Sequence, residues 1–177
     1  ENLGLEVLDE LSYQLERRGA PTVYLHDFGL RSHRPIPDVE AIKAPTEEAL
    51  ERVSRGEVEN DGFNRLTPGA ALAPDDVIVL RAYAKYLKQA GFTFSQAYIE
   101  QTLAAHAAIT VKLVRLFHER FDPAISGDRE ASQQKLHEEI KQALNDVANL
   151  DEDRILRSFL GVVEATYATA LVGFGVP

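Results

Sequence analysis

From Pro74 to Thr166 the apolar residues of this chain recur every three or four positions, and the pattern restarts behind a capping residue each time it breaks. Such spacing puts one apolar stripe on each helix, so the stretch is expected to fold as helices that bury their stripes against each other. Pro74 suits a first turn, with Asp75 and Asp76 behind it at the positive helix end. Val77, Leu80, Ala84 and Leu87 make its stripe, and Gly91 stops it. Ser95 caps a second helix bearing Tyr98, Ile99 and Leu103. His106-Ala107-Ala108 either continues that helix or kinks it into a third, which carries Ile109, Leu113, Leu116, Phe117 and Phe121 up to Asp122-Pro123. Asp128 caps a fourth, with Leu136, Ile140, Ala143, Leu144 and Val147 inward. Asp151 caps a fifth, with Ile155, Phe159, Val162, Val163 and Thr166 inward. The short connections favour antiparallel neighbours.

The first third has a different period. Leu3, Leu5, Val7, Leu11, Tyr13 and Leu15 share one parity, which predicts a half-buried strand. Leu8 and Asp9 break the alternation and mark a bend or bulge. Arg17 to Pro21 reads as a turn, and Val23 to Phe28 as a second strand ended by Gly29. Two strands cannot cover their own apolar strip, so this hairpin must pack on the helices, pair with another copy, or fray. Pro35, Pro37 and Pro45 punctuate the link to the helices, with a helical turn at Asp38 to Lys43. Thr46 then reads as the cap of a helix lined by Ala49, Leu50 and Val53 and closed by Gly56. Glu57 to Gly69 is expected to be an ordered loop with a helical turn, anchored by Phe63 and Leu66.

The chemistry-bearing residues form no complete constellation. Net charge is −9, which argues against a nucleic-acid or anionic-membrane surface. There are no cysteines, which is compatible with the cytosol. No apolar run approaches the roughly 20 residues of a membrane span. The five histidines, His26, His33, His106, His118 and His137, include no HExxH pair. His137 falls in a polar run and is expected to be solvated, and His26-Asp27 lacks a third partner for acid–base work. Glu57, Glu59, Asp61, Asp75 and Asp76 fail the spacing of a calcium loop and read instead as solvated or capping groups. Arg81, Lys85 and Lys88, with Tyr83, Tyr86 and Tyr98 nearby, offer an anion or nucleotide patch. A solvated face with interface tyrosines is the preferred reading, given the net charge. No GxGxxG comes after a strand, and no GxxxxGK[ST] or GxSxG occurs.

Four strings are more specific than any of these patterns: ENLGLEVLDE (Glu1 to Glu10), HDFGL (His26 to Leu30), GEVENDGFNRL (Gly56 to Leu66) and LRAYAKYLKQAGFTFSQAYIEQTL (Leu80 to Leu103). With LDEDRILRSFL (Leu150 to Leu160) and LFHERFDP (Leu116 to Pro123), they resemble the very large bacterial NAD-specific glutamate dehydrogenases across most of residues 1 to 166. The resemblance implies a mainly α fold. Residues 1–45 would be a hairpin and linker from an incomplete α+β, ACT-like module, and residues 46–177 an antiparallel helical domain. The chain is then expected to be a piece of something longer. The catalytic domain, its glutamate-binding lysines and its NAD site would lie beyond residue 177. No catalytic, cofactor-binding or metal residue is carried over, and no cofactor is expected in this chain; NAD belongs to the parent enzyme. The tail Tyr167 to Pro177 departs from the family's pattern.

The function implied by the resemblance is that of a non-catalytic regulatory or scaffolding segment of an enzyme that deaminates L-glutamate oxidatively to 2-oxoglutarate. Its partners would be upstream ACT-like modules, the downstream catalytic domain and other copies in a cytoplasmic homo-oligomer, with no nucleic acid and no membrane. Two alternatives stand beside it: an amino-acid-sensing ACT-like module, and a free-standing helical interaction protein. Two strands are too few for a whole βαββαβ unit, which weighs against sensing by this chain alone.

Overall fold

A computed structural model describes residues 2–32, 36 and 38–166. His33, Pro35, Pro37 and the tail from Tyr167 onward, all singled out in the sequence, lie outside the described residues. The architecture is mainly α behind an N-terminal hairpin. Strands β1 (Leu5–Leu15) and β2 (Val23–Ser32) are antiparallel. The helices are α1 (Val39–Ser54), α2 (Leu66–Ala70), α3 (Pro74–Gln89), α4 (Gln96–Ala105), α5 (Ala107–Phe121), α6 (Arg129–Leu144) and α7 (Leu150–Ala165). A 3-10 turn at Gly62–Arg65 precedes α2.

The hairpin carries the expected bulge, and its consequence is larger than a bend. Val7 pairs with Leu30 and Asp9 with Gly29, so Leu8 is the extra residue. Residues directly opposed across an antiparallel pair share a face, and one inserted residue flips every side chain beyond it. Leu5, Val7, Phe28 and Leu30 therefore lie on one face, and Leu11, Tyr13, Leu15, Val23 and Leu25 on the other. The single apolar strip expected from parity is split in two. β2 also continues past Gly29 to Ser32 instead of ending there. Gly29 sits opposite the bulge, where its N–H donates to Asp9 Oδ1 at 2.9 Å. A Cβ at this position would meet that oxygen, so any larger residue would make the Asp9 carboxylate swing away and give up this bond.

α1 differs from its predicted form. Asp38 caps it, accepting from the N–H groups of Glu40 and Ala41, and the helix runs through Pro45 and Thr46 without a break. Proline withholds one N–H and leaves the carbonyl four residues back unpaired. Ala41 is exposed, so water can serve that carbonyl. Ile42 and Ala49, seven residues apart, form the buried side, and Leu50 faces solvent. Similarly, α7 is capped by Asn149, which accepts from Asp151 and Glu152, while Asp151 lies in the first turn.

The remaining helix signals hold. Ser95 and Asp128 accept from N–H groups in the first turns of α4 and α6. Asp76 accepts from Ala73 N–H at 3.3 Å in front of α3. Gly91, at φ +88°, closes α3 in the left-handed region, with Phe92 N–H returning to Leu87 O at 2.9 Å. The α4 chain kinks at His106 into α5. Gln133 reaches Glu119 O at 3.1 Å, and Lys112 reaches Glu139 at 3.4 Å, so α6 returns antiparallel along α5. Phe63, Leu66, Val77, Leu80, Ile99, Leu103, Leu113, Ile140, Ile155 and Phe159 meet in one core. Replacing Leu80 by alanine is expected to lower the stability of the helical unit by about 2–5 kcal/mol, since the side chain is 1 % exposed. An unchanged denaturation midpoint would show that this stripe carries no load.

Candidate functional site

The basic trio suggested for an anion patch is consumed by structural contacts. Arg81 is not on a solvated face: it is 5 % exposed. Its Nε donates to Asp61 Oδ2 at 2.7 Å and its Nη2 to Asp61 Oδ1 at 2.9 Å, a bidentate fork. The same Nη2 donates to Asn64 Oδ1 at 2.8 Å, and the guanidinium lies over the Phe63 ring. Lys85 pairs with Glu59. Lys88 Nζ donates to the carbonyls of Phe92 and Phe94, sealing the chain beyond α3. Tyr86 remains exposed, whereas Tyr83 is buried and donates to Thr166 Oγ1 at 3.1 Å.

The acidic region is accounted for in the same way. Asp61 also accepts from Phe63 N–H, capping the 3-10 turn. Asp75 binds Arg52 at 2.7 Å, and that carboxylate holds the Arg52 guanidinium above its ordinary range. Asp76 meets His118 at 2.6 Å. No cluster of three or more metal-ligating side chains occurs among the described residues.

Each described histidine touches a carboxylate. His106 joins the α4–α5 kink to Glu152 of α7 at 2.8 Å, and His118 joins α5 to Asp76 of α3. His137 pairs with Glu164 across α6 and α7, so it is partly buried rather than solvated. These are helix-to-helix ties. On the hairpin, Ser12, His26 and Glu10 are the residue types of a hydrolytic triad, but the geometry is wrong. Ser12 Oγ and Glu10 Oε1 both contact His26 Nδ1, at 2.9 and 2.8 Å. A triad needs the hydroxyl on one ring nitrogen and the acid on the other. Asp27 cannot help either, since adjacent strand residues point to opposite faces.

The hairpin surface alone has no structural use among these features. Leu11, Tyr13, Leu15, Val23 and Leu25 are all about half exposed on one face, as are Val7, Phe28 and Leu30 on the other. The hairpin is tied to the helical unit at its root, where Asn2 Nδ2 donates to Asn60 O at 2.9 Å and Gly4 abuts Arg65. Sequence reasoning detected the apolar strip but not its division, because the bulge that divides it depends on pairing. No helix among the described residues is long and apolar enough to cross a membrane.

Comparison with known proteins matches these two parts of the chain separately. A family model for the glutamate dehydrogenase ACT3 domain matches residues 1–43, and one for glutamate dehydrogenase helical motif 3 matches residues 58–123. The NAD-specific glutamate dehydrogenase of Halomonas elongata is 41% identical over 170 residues, covering 96% of this chain and 10% of that protein. That of Pseudomonas aeruginosa is 42% identical over 173 residues, and that of Mycobacterium tuberculosis 38% over 178, each covering 96% of this chain and 11% of the relative. The chain thus spans about a tenth of the length of the curated relatives it matches.

Asp61→Ala strands a buried guanidinium and is expected to cost about 3–5 kcal/mol, with part recovered when Arg81 is also replaced by methionine. Equal midpoints for Asp61→Ala and the native chain would refute the network's role. Burial raises the Tyr83 phenol above its ordinary value of 10.0, against smaller lowering contributions from Thr166 and Arg120. A phenol raised in the folded state favours folding until pH climbs past the unfolded value, and stability then falls as pH approaches the folded one. Ultraviolet titration should show one late-ionising tyrosine that is lost in Tyr83→Phe.

Proposed function

Because the chain belongs to the NAD-specific glutamate dehydrogenase family through its ACT3 and helical-motif-3 segments, we infer that it is a non-catalytic regulatory and scaffolding segment of such an enzyme. The parent would deaminate L-glutamate oxidatively to 2-oxoglutarate with NAD bound elsewhere, in the cytoplasm, as a homo-oligomer. In this reading the chain supplies no catalytic, cofactor-binding or metal residue. It takes no nucleic acid and no membrane as partner. It works as two parts, residues 1–45 and 46–177, although that boundary falls inside α1.

The observation that carries this reading is the two-faced exposure of the hairpin. A sheet of two strands with apolar side chains on both faces is incomplete. It would be completed by other parts of the longer polypeptide, upstream ACT-like sequence being the natural cover, while the helical unit has a core of its own. A displacement of the hairpin by effector or neighbour would then reach the helices through its root.

The purified 177-residue chain is expected to produce no NADH from glutamate and NAD; glutamate-dependent NADH formation, free of contaminating enzyme, would overturn the non-catalytic assignment. Amide exchange tests the scaffold. Residues 5–32 should exchange much faster than α3, α4 and α7 in the monomer, and slow down at concentrations where sedimentation detects self-association. Slow exchange throughout 5–32 in a proven monomer would remove the case for missing cover.

A further inference from the structure

Where the hairpin root meets the helices lies a cavity of about 130 Å³. Leu3 and Gly4 wall it from the hairpin side, and Arg65, Leu66, Pro68 and Gln101 from the helical side. Among the described residues, Arg65 is the only charged one on this wall. Its side chain makes no hydrogen bond and no ion pair with another described residue, and its Nε is fully buried without an acceptor. Arginine stays protonated under all ordinary conditions, so a partly buried fork without an acceptor carries a desolvation cost that nothing in the described chain offsets.

The nearest compensating group is the buried carboxylate of Glu100. A Cβ on Gly62 would collide with Glu100 Oε2 and stand 2.8 Å from Arg65 Nη2, so both groups crowd the space that glycine leaves open. No ion pair joins them, and Glu100 Oε1 is taken by Gln96 Nε2 at 2.9 Å. Glu100 therefore tempers the positive field without satisfying the fork.

We propose that this cavity binds a small aliphatic monocarboxylate, held by the Arg65 guanidinium with the Gln101 amide beside it and the tail against Leu3, Leu66 and Pro68. The fork geometry suits a carboxylate taken bidentately. The cavity volume suits a ligand of a few heavy atoms, and the apolar walls suit a short alkyl chain. Glu100 close behind Arg65 selects against polyanions, whose second charge it would repel. Because the wall is drawn from both parts of the chain, an occupant would stiffen the hairpin on the helices. The site rests on the cavity and Arg65, and stands whether or not the segment scaffolds an enzyme.

The test is a titration of the 177-residue chain with sodium propionate, read out by amide chemical shifts, with propionamide and inorganic phosphate as comparisons. Half-saturation on the order of millimolar is expected, with shifts confined to residues around Leu3, Gly4, Arg65, Gly69 and Gln101. Arg65→Gln should weaken binding at least tenfold at an unchanged or higher melting temperature, and Arg115→Gln, an exposed arginine on α5, should leave it intact. Propionamide should produce none of these shifts, which keeps the test decisive even if Arg65→Gln folds poorly. Non-saturating shifts, shifts scattered over the surface, equal binding by Arg65→Gln, or tighter binding of phosphate would each overturn the proposal.

Discussion

The buried pair of Arg81 and Asp61 is the contact on which the rest of the helical unit depends. Residues 57–65 contain little regular structure, yet Phe63 and Leu66, each 1 % exposed, must enter the core from that stretch and its end. A loop cannot supply two core residues unless its backbone is fixed. Asp61 fixes it twice, by capping the 3-10 turn and by taking the Arg81 fork. Asn64 adds a third tie, accepting from Arg81 and donating to Glu59 O at 2.9 Å. A buried ion pair contributes little net stability against an apolar substitute, but it tolerates only one arrangement of its partners. Here that arrangement sets the direction in which α2 leaves the loop and the place where the hairpin root touches the helices.

The two parts of the chain are stabilised differently. Helices α3 to α7 bury their stripes in one core, where each leucine or isoleucine removed from water contributes about 1.5–3 kcal/mol. The histidine–carboxylate contacts across α3, α5, α6 and α7 sit at the edge of that core and join neighbouring helices there. The hairpin has its backbone ladder and polar contacts across its own two strands, among them Arg31–Glu6 and His26–Glu10, both at 2.8 Å. Its apolar side chains are half in water on both faces. The asymmetry leaves one part that keeps its shape through its own core and one whose apolar side chains remain half in water.

Much of this was legible in the amino-acid sequence. The helical stripes from Pro74 onward, the caps at Ser95 and Asp128, the stop at Gly91 and the kink at His106 are all decided by neighbours within a few residues, and the broken alternation at Leu8 and the apolar anchors Phe63 and Leu66 were visible as patterns. The family was legible too, because strings such as LRAYAKYLKQAGFTFSQAYIEQTL cannot be generated by amphipathic patterning alone. Boundaries were less so. Asp38 and Asn149 stand as caps in place of Thr46 and Asp151 because several residues in each stretch can cap a helix, and the helices begin earlier than the expected caps.

The roles of the charged residues were decided only in three dimensions. Arg81 sits on a helix between Leu80 and Ala82, and nothing in its local pattern distinguishes it from Lys85 or Lys88 on solvated ground. Its burial comes from a loop 20 residues away folding over it. The histidines likewise acquire partners 42 and 46 residues distant. Charge pairing and cavity formation depend on long-range approach, which leaves no periodic trace in the chain, whereas helix, strand and cap depend on short-range sterics and hydrogen bonds, which do. The sequence by itself therefore determined the elements and the family. The tertiary structure decided which polar groups are spent holding the elements together, and among the described residues left the Arg65 Nε without an acceptor and the apolar side chains of the hairpin half exposed.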